Sequence, residues 1–373
     1  MTGSAIRRDD PLRVVLVGAG SMGRAWRDTI EAAPDVELAG IVDIDPAAAQ
    51  SAADELGRPG LPVGTDAVTL AAATGARAVV DATVPEAHHP VTIAALFAGL
   101  AVLGEKPVAD TVAKALSLAA AAEVTGELFM VSQSRRWNPQ LFAFRVMAAD
   151  LGAIGTLTTE FFRAPRFGGF RERMEHPLLV DMAIHAFDSA RFVLGAEPVS
   201  AYCEAHNPPW SWYDGAAAAT TVFEMEGGIR YTYTGSWCSP GAETSWNGAW
   251  RVSGEKGSAL WDGDHEPVLH GDVQRADRER SPHSGIAGSL QVFVEALRTG
   301  VAPMGEVHEN VLSLAMVEAA VRSAESGQRV LVDDVLAHAH AVALRDERHP
   351  DVRAALADWS SARSALTLPD GHC

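Results

Sequence analysis

The stretch RVVLVGAGSMG, residues 13–23, decides the fold of this chain. Its first five residues form an apolar, β-branched run of the kind found in parallel strands that are buried on both faces. Glycines follow at positions 18, 20 and 23, and a helical pattern continues to about Ala33. A buried strand, a glycine turn and a helix in this order predict the first unit of a doubly wound parallel sheet.

The rest of the first 130 residues alternates in the same way. Further strands are predicted at 36–43, 78–82, 101–104 and 128–132, and further helices at 47–56, 90–98 and 110–124. After Asn138-Pro139 the pattern changes to a helix at 140–150 and longer alternating strands, including 157–163, 218–224, 229–236 and 249–252. Helical patterns lie near 178–194, 286–299, 306–326 and 333–365.

These patterns predict an α/β protein of two domains. Residues 1–137 are expected to form a Rossmann doubly wound parallel sheet. Residues 138–373 are expected to form an α+β domain for substrate binding and oligomerisation, built on an open, mostly antiparallel sheet. The late helices could pack back on the first domain.

Composition excludes several classes of protein. The chain has 373 residues, 48 acidic and 30 basic side chains, a net charge of −18 and 47% hydrophobic residues. A disordered chain, a general nucleic-acid binder and a protein adsorbed to an anionic membrane are therefore not expected. No apolar run is long enough for a signal peptide or a membrane span. Three widely spaced cysteines (Cys203, Cys238 and Cys373) suggest neither a disulfide framework nor a zinc site, so a cytoplasmic location is predicted.

The glycine pattern predicts a dinucleotide site. Gly18 permits the tight turn, Gly20 lets the backbone approach a pyrophosphate, and Gly23 lets the helix pack on the strand. The helix N-terminus offers N–H groups to phosphate. Asp43, at the end of the second strand, would accept hydrogen bonds from ribose hydroxyls. Asp43 and Asp45, with no arginine beside them, favour NAD over NADP. The alternative is a plain glycine turn with Asp43 as a solvated acid.

Two further clusters carry chemistry. Lys106, in GEKP after a predicted strand, lies at the strand end where such sheets bind ligands, and Pro107 biases its backbone toward an extended form. The alternative is that Lys106 is an ordinary surface lysine.

Asp181, His185 and Asp188 are spaced by four and three residues, which predicts that they lie on one face of a largely buried helix. These residues either line a binding site or form a buried His–Asp pair that only anchors the helix to the rest of the domain.

Together these motifs resemble the Gfo/Idh/MocA family, the glucose–fructose oxidoreductase and inositol dehydrogenase group, over nearly the whole chain. The resemblance rests on VGAGSMG (17–23), VVDATVPEAHHP (79–90), GEKP (104–107), SRRWNP (134–139), DMAIHAFD (181–188) and GEKGSALWDG (254–263). It implies NAD(P)-dependent oxidation of a sugar or cyclitol hydroxyl. One departure is Glu175-His176-Pro177, where many members carry a glycine-rich run; His176 is either a substrate contact or a loop residue.

The resemblance also implies roles for particular residues. Lys106, Asp181 and His185 match the family's catalytic residues. His185 would act as general base, Asp181 would orient it, and Lys106 would hydrogen-bond the reacting oxygen. The expected cofactor contacts are Gly18, Gly20, Ser21, Met22, Gly23, Asp43, Ile44, Thr83, Val84, Pro85, His89, Glu105, Lys106, Gln133 and Arg136.

Substrate contacts are predicted less directly. Besides Lys106, Asp181 and His185, we expect Arg163, Arg166 and Trp237 to reach the substrate; ion pairing is the alternative for the two arginines. Six tryptophans fall within about fifty residues (Trp210, Trp212, Trp237, Trp246, Trp250 and Trp261). Most are expected at a subunit interface of a homodimer or homotetramer formed through the C-terminal sheet; the alternative is that they present apolar faces to a sugar ring or to an attached aglycone. No metal site is predicted, because neither His88/His89 nor His338/His340 has ligand spacing on a helix.

The leading functional hypothesis is an NAD-dependent oxidoreductase acting on a secondary hydroxyl of a sugar, a sugar derivative or a cyclitol. A second hypothesis keeps the same redox step within glycoside cleavage: oxidation at C3 allows elimination of the aglycone, and NAD is retained. A third is a non-catalytic NAD-binding regulator. Lys106, Asp181 and His185 together argue against the third hypothesis, because a sensor needs only the nucleotide half.

Overall fold

A computed structural model describes residues 10–271 and 284–367. The chain divides into two compact units. Unit 1 comprises Met1–Ser134, Gly285–Val311 and His338–Cys373, and unit 2 comprises Arg135–Ser284 and Leu312–Ala337. The predicted domain of residues 138–373 therefore does not hold as one continuous range, because the chain returns to unit 1 twice. The late helices lie largely in these returning segments.

Unit 1 contains a six-stranded parallel sheet with the strand order β3-β2-β1-β4-β5-β6. This is the doubly wound order, which reverses between β1 and β4. The strands are β1 (Leu12–Val17), β2 (Val36–Val42), β3 (Val63–Gly64), β4 (Ala78–Asp81), β5 (Ala101–Glu105) and β6 (Phe129–Ser132). The helices between them are α1 (Ser21–Ala32), α2 (Pro46–Glu55), α3 (Ala67–Thr74), α4 (Pro85–Phe97) and α5 (Val112–Thr125).

The ends of these helices follow from local side-chain chemistry. Asp45, Asp66 and Thr111 cap α2, α3 and α5 by accepting from backbone N–H groups of the first turn. Helix α4 was predicted to begin at Pro90, which is wrong. Pro85 occupies its first turn, where a missing N–H costs nothing, and Pro90 is tolerated inside the helix.

Unit 2 contains an eight-stranded sheet with the order β13-β12-β11-β7-β10-β9-β8-β14. Only β7 and β10 pair in parallel, so the predicted, mostly antiparallel sheet is confirmed. Its strands are β7 (Ile154–Phe162), β8 (Pro198–His206), β9 (Ala218–Met225), β10 (Arg230–Ser236), β11 (Ala249–Gly254), β12 (Gly257–Trp261), β13 (Val268–Gly271) and β14 (Val330–Leu331). Its first helices are α6 (Pro139–Asp150) and α7 (Ile184–Leu194), and a π-helical segment, Leu178–Ala183, leads directly into α7.

Alternation along the strands places the core of unit 2 on one face of this sheet. Tyr231 and Tyr233 of β10 are fully buried, whereas Arg230 is exposed. Phe187 of α7 packs edge-on against Phe223 and Tyr231 of the sheet. The helical layer thus covers the buried face and carries the DMAIHAFD segment.

The C-terminal part of the chain is helical, as predicted, but in shorter pieces. The helices are α8 (Gly285–Thr299), α9 (Val307–Ser326), α10 (Val332–Asp346), α11 (Pro350–Asp358) and α12 (Ala362–Leu366). The single helical stretch predicted at 333–365 is broken because Pro350 starts α11, and because Ser361 caps α12. Helix α11 packs against α5 within unit 1.

Candidate active site

The glycine loop of unit 1 has the backbone geometry that its sequence predicts. Gly18 adopts φ +100°, and a Cβ there would lie 2.7 Å from the carbonyl oxygen of Ala82. A Cβ on Gly23 would lie 2.0 Å from the carbonyl oxygen of Gly18, so only glycine lets α1 pack this closely. A Cβ on Gly20 would meet no atom within 4 Å. Gly20 therefore faces open space, as the close approach of a pyrophosphate to the backbone requires.

The N-terminus of α1 and Asp43 complete this part of the site. No side chain caps α1, and its first turn carries no acid, so its N–H groups can meet a phosphate. One carboxylate oxygen of Asp43 accepts from the Ala19 N–H at 2.8 Å, and the other accepts from the Asp45 N–H at 2.9 Å. Each oxygen retains a lone pair for a ribose hydroxyl. The predicted neighbours Met22 and Ile44 are exposed.

The loop after β4 is held by a buried acid and a buried histidine. Asp81 accepts hydrogen bonds from the backbone N–H and the hydroxyl of Thr83, at 3.1 and 2.6 Å. Burial raises the pKa of Asp81, and the charge of His88 opposes that rise. The His88 ring lies with Nε2 3.2 Å from the Thr83 carbonyl oxygen and Nδ1 2.7 Å from that of Pro107. Thus His88 joins the loop after β4 to the loop that carries Lys106.

The two adjacent histidines of α4 contact different parts of unit 1. His89 Nε2 lies 2.9 Å from the Ser117 hydroxyl of α5, and Ser117 in turn donates to Glu347. Successive helical residues point about 100° apart, so His88 and His89 cannot both face the loop. The predicted cofactor contact of His89 stays a prediction, and its Nε2 atom is directed at α5 in this structure. Neither residue has a sequence signal that separates it from the other.

Lys106 lies at the end of β5, next to a buried carboxylate. Glu105 accepts from the Trp26 indole N–H at 2.8 Å and from the Lys106 backbone N–H at 3.1 Å. Burial raises the pKa of Glu105. The Lys106–Pro107 peptide bond is cis. The Glu105 side chain, predicted as a cofactor contact, instead supports the backbone of the Lys106 loop.

Gln133, just after β6, carries a polar group that is left unsatisfied. Its side chain is 2% exposed, and neither its amide nitrogen nor its amide oxygen has a hydrogen-bond partner among residues 10–271 and 284–367. Buried amides are normally paired, because an unpaired one costs desolvation energy. A ligand with its own carboxamide would satisfy both atoms, so Gln133 fits the predicted nicotinamide contact.

In unit 2, the DMAIHAFD segment is not one regular helix. Asp181 lies in the π-helical segment and accepts from Arg171 Nε at 2.9 Å, while His185 lies in α7. His185 lines a small cavity together with Arg135 and Trp250. This change from π to α geometry is not predictable from residue spacing.

Asp188 has a structural role that differs from the predicted shared polar face. Its carboxylate forms two hydrogen bonds with the Arg136 guanidinium, at 2.7 and 2.8 Å, and accepts from the Ser313 hydroxyl at 2.7 Å. Both ion-pair side chains are 2% exposed. The predicted cofactor contact of Arg136 stays a prediction, and its guanidinium group pairs with Asp188 in this structure. The pair anchors α7 to the turn at 134–137.

The three predicted substrate contacts are also used within unit 2. Arg163 pairs with Glu243 at 2.9 Å and stacks on Trp246. Arg166 stacks on Trp212 with 4.0 Å to the ring centroid. Trp237 is 2% exposed and packs among aromatic rings, so it belongs to the core rather than to an open pocket wall.

The six tryptophans of the cluster differ in burial: three are buried, two are exposed and Trp212 is half-buried. Trp250 and Trp261 are buried against Phe144 of α6, so with Trp237 they serve the core of unit 2 and not a subunit interface. Trp210 and Trp246 remain substantially exposed. Composition alone could not separate these groups, because burial depends on which face of the sheet each strand position occupies.

Arg135 is a candidate that the sequence analysis missed. It donates to the Trp246 carbonyl oxygen and contacts the Met182 sulfur, and it lines the cavity beside His185. Within the described ranges no carboxylate lies at ion-pair distance from it. Desolvation lowers the pKa of Arg135 to about 10, so it remains cationic at neutral pH. An unbalanced cation beside a histidine is suited to an anionic group.

The fold and the glycine loop define unit 1 as a dinucleotide-binding domain. Residues 12–133 match the family model described as an oxidoreductase family with an NAD-binding Rossmann fold, and residues 143–260 match the GFO/IDH/MocA C-terminal domain. The chain belongs to the Gfo/Idh/MocA family of oxidoreductases. Among the described residues, no helix has both the length and the apolar composition needed to cross a membrane.

Similar proteins support this membership. The chain is 29% identical to inositol 2-dehydrogenase of Rhizobium meliloti over 352 residues, covering 86% of this chain and 99% of the relative. It is 28% identical to D-apiose dehydrogenase of Paraburkholderia graminis, covering 88% and 91%. An oxidoreductase from Agrobacterium radiobacter, solved with NAD+, L-tartaric acid and magnesium, shares the fold with a TM-score of 0.76 at 21% identity, covering 87% of this chain and 99% of that one.

Proposed function

We propose that the protein is an NAD-dependent dehydrogenase that oxidises a secondary hydroxyl of a sugar, a sugar derivative or a cyclitol. The observation that carries this proposal is the cradle in unit 1: the open space at Gly20, the uncapped α1, the Asp43 carboxylate and the unsatisfied amide of Gln133. The names of the two curated relatives, an inositol and an apiose dehydrogenase, support the substrate class.

The cofactor site would consist of the glycine loop, Asp43, the Thr83-Val84-Pro85 loop and Gln133. The N–H groups at the start of α1, including that of Ser21, would bind the pyrophosphate. Asp43 would hold the ribose, and its charge would repel a 2′-phosphate. When bound, NAD supplies the hydride acceptor.

The proton chemistry would fall to three side chains that match the family's catalytic residues. His185 takes the hydroxyl proton, since an imidazole titrates near neutral pH. Lys106 donates a hydrogen bond to the reacting oxygen and stabilises its developing negative charge. Asp181, itself held by Arg171 at 2.9 Å, positions the His185 ring and stabilises its charged form.

Arg135 narrows the substrate within this class. Arg135 lies beside His185, so an acidic substituent of a substrate held at His185 would meet a positive charge. We therefore place sugar acids and acidic sugar derivatives ahead of neutral polyols as substrates. Arg135→Met should raise KM for an acidic substrate about tenfold or more while changing KM for NAD little.

The test is NADH formation, followed by absorbance, with a panel of inositols, free sugars, sugar acids and glycosides. Lys106→Ala and His185→Ala should each lower turnover about 10²- to 10⁴-fold, with NAD affinity measured separately. The matched controls are Lys114→Ala, whose ammonium bonds Asp110, and His270→Ala on exposed β13. Turnover that survives both active-site substitutions would refute the assignment. NAD binding without NADH release on any substrate would favour a retained-cofactor reaction or a regulator.

We also propose that the exposed face of the eight-stranded sheet forms a homodimer or homotetramer contact. This face presents Tyr202, Thr220, Arg251 and Leu260 to solvent. Light scattering after size-exclusion chromatography gives the mass directly. Leu260→Arg should shift the mass toward the monomer, and a monomeric wild-type protein would exclude the contact.

A further inference from the structure

Unit 2 holds a group of metal-ligand side chains that the proposed reaction does not use. Ligand atoms of Glu175, His176 and Glu325 all lie within 4.8 Å of one another. His176 Nε2 is 3.6 Å from Glu325 Oε1, which is too long for a hydrogen bond. The sequence predicted no metal site, and its ligand spacing gave no signal, because Glu325 follows His176 by 149 positions.

The His176 ring is the second observation that points to a ligand. Its side chain is 11% exposed, and both ring nitrogens are buried without a hydrogen-bond partner in the described part of the chain. A neutral imidazole has one donor and one acceptor, and buried polar atoms are normally satisfied by protein, water or an ion. The carboxylates of Glu175 and Glu325 make the surroundings of His176 negatively charged, which favours a cation over a neutral ligand.

The backbone that carries these side chains is fixed. Ala216 N–H donates to the Glu175 carbonyl oxygen at 2.7 Å, and a Cβ on Gly215 would lie 2.1 Å from that oxygen. Val180 N–H donates to the His176 carbonyl oxygen at 3.0 Å. Glu325 lies in the last turn of α9. Ligands carried by rigid segments need little reorganisation when an ion binds.

We propose that Glu175, His176 and Glu325 bind a divalent transition-metal ion, with Zn²⁺ as the expected occupant. One imidazole and two carboxylates form a donor set that suits Zn²⁺, whereas Mg²⁺ and Ca²⁺ prefer oxygen alone. Ligand atoms at about 2.0–2.2 Å from one ion can be at most about 4.4 Å apart. Rotation of the exposed Glu175 and Glu325 side chains supplies this small closure, and water completes the coordination.

The ion would act as a structural clip within unit 2. It would join the residues that precede the π-helical segment to the end of α9. Asp181 lies five positions after His176, so the clip would restrict the start of the segment that carries it. This inference concerns metal binding and stability, and it does not depend on the proposed oxidoreductase reaction.

The experiment uses the full-length protein after chelator treatment and dialysis. One equivalent of Zn²⁺ should raise Tm by about 5 °C, because an ion that binds only the folded state stabilises it. Co²⁺ should give a visible d–d spectrum that titrates to one equivalent. Glu325→Gln and His176→Asn should weaken Co²⁺ binding at least about tenfold, since even loss of a neighbouring hydrogen bond weakens metal sites by 10–100-fold. Glu295→Gln, an exposed glutamate on α8, is the matched control.

The Tm and Co²⁺ measurements distinguish a metal site from an ordinary ion pair between His176 and Glu325. If Zn²⁺ raises Tm for the wild type and for Glu295→Gln but not for Glu325→Gln, the site is supported. A Tm loss in Glu325→Gln of the same size with and without Zn²⁺ would show a plain His176–Glu325 ion pair and overturn the proposal. Equal Co²⁺ stoichiometry and affinity in all variants would also overturn it. Circular dichroism of the metal-free variants verifies that they are folded.

Discussion

His88 Nδ1 lies 2.7 Å from the carbonyl oxygen of Pro107, and the same ring reaches the Thr83 carbonyl through Nε2. Both partners are backbone carbonyl oxygens, which accept hydrogen bonds and belong to two different loops. One buried side chain thereby sets the spacing of two loops that bear proposed cofactor and catalytic residues.

His88→Ala should therefore raise KM for NAD about tenfold and lower kcat, because loss of two hydrogen bonds costs about 1–3 kcal/mol. His88→Gln, which keeps one donor, should recover part of the loss. His89→Ala is the matched control, since its ring contacts Ser117 instead. Steady-state kinetics with NAD varied gives the comparison. Equal effects of His88→Ala and His89→Ala on KM would contradict the assignment.

The glycines of the loop should respond differently to the same substitution. Gly20 has φ −72° and open space around its Cα, so Gly20→Ala should leave Tm within about 2 °C but weaken NAD binding at least about tenfold. Gly23→Ala places a methyl group against the Gly18 carbonyl and should cost about 1–3 kcal/mol of stability. Thermal unfolding measures the stability of the two variants, and NAD titration measures their affinity for NAD. A Gly20→Ala protein with wild-type NAD affinity would refute the pyrophosphate assignment.

Coenzyme choice should depend on the charge of Asp43. Asp43→Asn keeps an acceptor for the Ala19 N–H but removes the negative charge that a 2′-phosphate would meet. The ratio of kcat/KM for NADP to that for NAD should rise about tenfold, within the range of Coulomb energies for charges a few ångströms apart. An unchanged ratio in this variant would mean that Asp43 does not face the ribose.

The Arg136–Asp188 pair should behave as a structural pair. Arg136→Met leaves the Asp188 carboxylate buried and uncompensated, which should lower the free energy of unfolding by about 3–5 kcal/mol. The double variant Arg136→Met/Asp188→Leu should lose less, because no charge remains buried. Denaturant titrations measure both. A double variant as unstable as the sum of its single variants would argue against direct pairing.

Stability of unit 1 should fall at alkaline pH because of His308. Burial lowers its pKa, but the hydrogen bonds and charges of Glu123 and Glu306 outweigh this and raise the pKa from 6.5 to about 9. The stabilisation, about 3 kcal/mol, is fully present below pH 6.5 and is lost as pH rises toward about 9. Unfolding measured across pH 6 to about 10 tests this. His308→Gln should flatten the decline, and an equally steep decline in that variant would exclude His308 as its cause.

Local patterns predicted the sheets and the glycine loop because their causes are local. A β-branched run, a turn glycine or a helix cap acts on its near neighbours in the chain. The short strand β3 and the helix α3 were not predicted. A strand of two residues and a short, alanine-rich helix show little periodicity of polar and apolar residues. The pairing of Arg136 with Asp188 was not predicted because it joins residues 52 positions apart. The choice between His88 and His89 depends on the rotation of α4, which its sequence leaves open.

Unit 1 is built from three separate segments of the chain, and these segments become available one after another during synthesis. The carbonyl oxygen of Gly305 accepts a hydrogen bond from the Val131 N–H at the edge of β6. Phe97 of α4 stacks on His349. During synthesis, the edge of β6 therefore stays uncovered until Gly305 has left the ribosome, and Phe97 until His349 has done so. A polypeptide that ends at Ser134 should accordingly be prone to aggregation, and the dinucleotide cradle should mature only after the two later segments of unit 1 have been synthesised.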